Sequence, residues 1–140
     1  MNQLDVYASN WMRLYQPDIV LLHIGSNDLD KGATSADLIQ RMTKLLGDIY
    51  AGKPDTYVVM ATIIPSNHGN KEAWSTYNAA IPGVAAQFSG SHKIIIVNMA
   101  NALSEGDLLD GLHQNQGGYN KMAYTWYPTV SMIYRQMTGR

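Results

Sequence analysis

Three short apolar runs, rich in β-branched residues and separated by helical patterns, confine this chain to an α/β fold. They are Asp18-Ile19-Val20-Leu21-Leu22-His23-Ile24, Thr56-Tyr57-Val58-Val59-Met60-Ala61-Thr62 and Lys93-Ile94-Ile95-Ile96-Val97-Asn98. A strand with one wet face alternates polar and apolar residues, and these runs do not. Each therefore reads as a strand buried on both faces of a parallel sheet. Between them, apolar residues recur every third or fourth position. Leu4, Tyr7, Trp11 and Leu14 predict an amphipathic helix over 3–15 that Pro17 stops. Thr34 with Asp37 predicts a helix start after a loop at 29–33. Leu38, Met42, Leu45 and Ile49 continue it as an apolar stripe, which Gly52-Lys53-Pro54-Asp55 breaks. Trp74, Tyr77, Ile81, Val84 and Phe88 mark a third helix, and Tyr119, Met122, Trp126, Val130, Ile133 and Met137 a fourth. Pro82 and Pro128 are expected to kink or split these two. The order α-β-α-β-α-β-α implies right-handed parallel crossovers and a three-layer α/β/α sandwich.

With 140 residues the chain is long enough for one core and too short for two, so residues 1–140 are expected to form a single domain. Its net charge of −1 offers no electrostatic case for binding nucleic acid or an anionic membrane surface. Cysteine is absent, which excludes disulfides and thiolate metal sites and leaves the compartment open.

Two polar clusters interrupt the apolar pattern. The first run ends in Gly25-Ser26-Asn27-Asp28. Glycine permits a sharp turn, and short polar side chains arrive just past the strand's carboxyl end, where open α/β sheets bind ligands. Asn and Asp also favour turns for purely local reasons, so a plain cap fits the same residues. The second cluster is Leu109-Asp110-Gly111-Leu112-His113-Gln114-Asn115, in a long polar loop over 99–117. Three residues apart, Asp110 can reach the near ring nitrogen of His113 while the far nitrogen faces outward. That is the orienting and proton-shuttling half of a Ser-His-Asp relay, although a helix-start turn satisfying its own backbone would look alike. Other polar residues signal less. His23 reads as a hydrogen-bonded core histidine, and His68 and His92 have no evident partner. Asp28-x-Asp30-x-Gly32 imitates a calcium loop without the later glutamate, so no metal is expected. The Trp74/Tyr77 and Trp126/Tyr127 aromatics read as core.

Together, DIVLLHIGSNDL and DGLHQNQGGYNKMA resemble the SGNH (GDSL-type) hydrolase family, in its carbohydrate-esterase-like branch. The resemblance runs from about residue 10 to the C-terminus. It implies the flavodoxin-like fold, with a five-stranded sheet in the order 2-1-3-4-5. The implied activity is hydrolysis of carboxylic esters carrying short acyl or acetyl groups, on carbohydrate among other carriers, without a cofactor. In the family, G-x-N-D supplies an oxyanion donor and D-x-x-H the acid and base of the triad. Asn27, Asp110 and His113 match those positions, with Gly25 beside the substrate. The family's Gly-Asp-Ser turn, which carries the nucleophilic serine, has no counterpart in these 140 residues.

The likeness is therefore to the C-terminal two-thirds of such an enzyme, truncated to about three strands. Hydrolysis is expected to be weak or absent, and a non-catalytic binding or interaction domain is the alternative. Ser26, next to Asn27, is the nearest replacement nucleophile, although its side chain is expected to point away from that of its neighbour. Ser66, Ser89, Ser91 and Ser104 are fainter candidates. Loss of a neighbouring strand would leave 18–24 as an open edge, which predicts a homodimer covering it.

Overall fold

The computed structural model describes residues 1–140, apart from the side chains of Asn2 and Asp5. Its elements are α1 (Asn2–Tyr15), β1 (Ile19–Leu22), α2 (Ser26–Asp30), α3 (Ser35–Gly52), β2 (Tyr57–Ala61), α4 (Lys71–Ala86), β3 (Lys93–Val97), a 3-10 turn (Glu105–Asp107) and α5 (Gln116–Thr138). The strands are parallel in the order β1-β2-β3, with Val20 opposite Val58 and Val58 opposite Ile94. Strand periodicity divides the core between two faces. Val58 and Met60 pack with Leu38, Met42, Leu46 and Tyr77 beneath α1, α3 and α4. Val59 and Ala61 pack with Met99 and Ile133 beneath α5. The chain is thus an α/β/α sandwich, as its pattern predicts.

Short polar side chains start α3, α4 and α5. Thr34 accepts the Asp37 amide, Asn70 accepts those of Glu72 and Ala73, and Asn115 accepts that of Gly118. Four expectations need correction. Residues 26–30 form a short helix rather than open loop, because the Gly25 carbonyl accepts the amides of Asp28 and Leu29. Neither Pro82 nor Pro128 divides its helix. Both prolines lie on the exposed side, where water satisfies the carbonyl that loses its partner. Finally, α1 buries Ala8 and Met12, whereas Tyr7, Trp11 and Leu14 stay exposed. The reason lies in Gly52 of α3, where a Cβ would fall 2.5 Å from that of Met12 and 2.9 Å from the Ser9 carbonyl. So close a crossing admits small or flexible side chains and excludes an indole. Tyr127 of α5, expected in the core, is also exposed.

Asp107 anchors α5 to the loop before it. Its carboxylate accepts the Ser104 amide at 2.8 Å and hydroxyl at 2.9 Å and lies 2.7 Å from Lys121 Nζ. Lys121 is the chief cause that holds its pKa down to about 2, with the Ser104 amide next. A depressed carboxylate contributes stability that is present above its unfolded pKa of 3.8 and is lost as pH falls through the folded value. Asp107→Asn should therefore melt with a flatter acid dependence than the parent between pH 4 and 2. Parallel curves in that window would remove Asp107 from the account of acid stability.

Candidate active site

The first half of the site is made where β1 stops. Gly25 has φ +117°, a conformation closed to most side chains, and it turns the chain into α2. Tyr77 of α4 occupies the space a Cβ would need: its Cε1 lies 2.8 Å from that position. The Tyr77 hydroxyl donates to the Ile24 carbonyl at 3.2 Å, so the ring both fills and ties the turn. Burial, aided by the negative charge of Asp28, pushes the phenol pKa upward and keeps it a donor. The turn delivers Asn27 to an exposed position.

The second half is the turn before α5. Asp110 Oδ1 accepts the amides of His113 at 2.7 Å and Leu112 at 3.0 Å, and Oδ2 lies 2.7 Å from His113 Nδ1. The His113 amide, then its ring, then the Leu112 amide hold the Asp110 carboxyl well below the usual carboxylate range. A carboxylate at Nδ1 places the ring proton there and leaves Nε2 bare. Both side chains are about half exposed, 55% for His113 and 52% for Asp110, so Nε2 is open to a ligand. The Leu109 amide donates to the His113 carbonyl at 2.7 Å and closes the turn.

The two halves meet. A cleft of about 470 Å³ is lined by Gly25, Ser26, Asn27, His23, His113 and Gln114, among others. An amide donor and an imidazole held by a carboxylate thus face one open space.

Ser26 lines the same cleft, but its Oγ is buried and has no hydrogen-bond partner and no base within reach among the described residues. The hydroxyls of Ser66, Ser89 and Ser104 donate to Gly111, Ala86 and Asp107 respectively. His23 is half-buried and accepts the Ile64 amide at Nε2, and burial lowers its pKa and keeps it neutral. The two histidines without an evident sequence partner each find one. His68 Nδ1 lies 3.4 Å from Asp30, and His92 stacks on Tyr50 at 4.0 Å with Nδ1 near the Pro54 carbonyl. Asp28 pairs with the Met1 ammonium, and no group of three metal-ligating side chains occurs among the described residues.

Periodicity hides the residues that support this rim. Tyr77 and Trp74 occupy core positions in the pattern, yet their polar ends tie Ile24 and Ile64. Asn78 donates to the Ile63 carbonyl and accepts its amide. A polar residue directly after a core tyrosine was the one available signal.

A family model described as the GDSL-like Lipase/Acylhydrolase family matches residues 4–121. A multidomain esterase of Ruminococcus flavefaciens is 34% identical, with 94% of this chain and 18% of that protein covered. A protein of Acetivibrio thermocellus, provisionally named endoglucanase X, is 30% identical over 99% of this chain and 61% of its own length. The chain thus spans less than two thirds of either curated relative. Among solved structures, a family 3 carbohydrate esterase of Clostridium thermocellum superposes with a TM-score of 0.81 at 28% identity, covering 96% of this chain and 67% of that one.

Proposed function

Because the chain belongs to the GDSL-like lipase/acylhydrolase family, we propose that it carries the oxyanion donor and proton shuttle of a carboxylic ester hydrolase. The substrates are short acyl esters, acetyl groups on carbohydrate among them, a choice supported by the carbohydrate esterase likeness. The observation that carries this reading is the cleft shared by Asn27 and His113.

In the proposed reaction the ester carbonyl lies between these groups. The attacking oxygen bonds to the carbonyl carbon as His113 Nε2 takes its proton, and the Asn27 amide donates to the developing oxyanion. Asp110, ionised throughout the neutral range, stabilises the imidazolium. When the intermediate collapses, the carbon–alkoxide bond breaks and His113 returns the proton to the leaving oxygen. A single oxyanion donor is worth about 10²–10³ in turnover. With Ser26 Oγ buried and without a base, water is the attacking group available to the 140 residues by themselves. A positioned base contributes about 10²–10⁴-fold to such an attack, so slow turnover is expected.

Hydrolysis of p-nitrophenyl acetate tests this reading. Slow turnover should exceed the buffer rate, fall about a hundredfold or more in His113→Ala and persist in Ser26→Ala. Turnover that is absent, or indifferent to His113, favours a non-catalytic module binding an ester or glycan, a reading the partnerless Ser26 hydroxyl also supports. Loss in both variants would make Ser26 a nucleophile.

The free edge of β1, where Leu21 is 46% exposed, and the exposed Tyr7, Trp11 and Leu14 of α1 support a two-fold homodimer. Sedimentation at micromolar concentration should give a dimer. A compact monomer there would refute it.

A further inference from the structure

The turn holding Asp110 and His113 is gripped from outside by a segment that the reaction scheme leaves unused. Gly111, between the two residues, has φ +83°. Its carbonyl accepts the Asn67 amide at 2.8 Å and the Ser66 hydroxyl at 3.1 Å. Ser66 is only 9% exposed, and its hydroxyl also accepts the His68 amide at 2.9 Å, with the His68 carbonyl a longer alternative acceptor at 3.5 Å. The His68 ring packs on Gly111, with Nε2 2.9 Å from where a Cβ would stand. The other ring nitrogen faces Asp30, the last residue of α2.

We propose that Ser66 and His68 are positioning residues, forming a clamp that holds the Asp110–His113 turn in register with the helix bearing Asn27. The inference rests on the hydrolase reading for its purpose and on these contacts for its geometry. Asn27 lies near the start of α2 and Asp30 at its end. A path therefore runs from that helix across the 3.4 Å Asp30–His68 contact, and by hydrogen bonds from the His68 amide to Ser66 and from Ser66 to the Gly111 carbonyl. Oxyanion stabilisation and proton transfer need donor and base held to well under an ångström, a tolerance that an exposed turn does not reach by itself. With the clamp in place, the peptide between Asp110 and His113 cannot rotate, and the carboxylate stays on Nδ1.

Ring-nitrogen NMR of His113 in the folded protein reads this without any turnover. In the parent the neutral ring is held as the Nδ1–H form. In Ser66→Ala, and in the milder surface variant Asp30→Asn, the ratio of Nδ1–H to Nε2–H should fall about fivefold, the worth of one neutral hydrogen bond. An unchanged ratio in either folded variant overturns the clamp, and Asp30→Asn decides alone if Ser66→Ala does not fold. The result separates from the hydrolase reading. A shifted ratio in a chain that never turns over esters keeps the clamp and removes the enzyme. An unshifted ratio in an active chain does the reverse.

Discussion

Gly25→Ala should unfold at markedly lower urea than the parent, with a stability loss of about 3 kcal/mol. Two costs combine. Alanine is strained at φ +117°, and its methyl would sit 2.8 Å from Tyr77 Cε1, a ring with no room to retreat because it is itself buried. Strain of this type costs about 1–3 kcal/mol and overpacking about 1–3 more. The two contributions are separable. In the background of Tyr77→Leu, which removes the opposing ring, Gly25→Ala should cost only the backbone share, so the pair is non-additive. Equal costs in both backgrounds would show that the ring does not hold the turn. An unchanged midpoint in the single variant would show that the turn is not as described.

Asp110→Asn should have the largest effect on hydrolysis, removing the share of p-nitrophenyl acetate turnover that the base supplies, about 10²–10⁴-fold. The fold should survive, since the asparagine oxygen can still accept the amides of Leu112 and His113 that the carboxylate accepts now. What changes is the partner of Nδ1. An amide nitrogen there donates instead of accepting, so the ring proton moves to Nε2 and the base is lost from the cleft. The imidazolium would also lose the charge that stabilises it. A variant that melts like the parent but hydrolyses at the parent rate would exclude Asp110 from the reaction.

What could be read from the sequence follows from the range of each interaction. Asp110 and His113 are three residues apart, so their pairing is a property of one turn and is visible as spacing. The strands are visible as unbroken apolar runs, although only β2 is buried on both faces while Leu21 of β1 and Ile96 of β3 are exposed. Thr34 is visible because a cap acts on the residue three positions on. The five residues of α2 are too few to show a period. The buried face of α1 depends on Gly52, a residue on another helix. Tyr77 over Gly25 and Ser66 on Gly111 join positions 52 and 45 residues apart, and nothing local marks either contact. Convergence of Asn27 and His113 is equally non-local, and only the family resemblance made it an expectation.

That convergence is the central claim, and an acetate titration followed by NMR tests it most directly. Acetate is the acyl product of an acetyl ester and carries its oxygens where the oxyanion would form. If the cleft presents both groups to one ligand, the Asn27 side-chain amide and the His113 ring resonances shift along saturating curves with a single dissociation constant. Movement of one group without the other, or two distinct constants, would contradict a shared site.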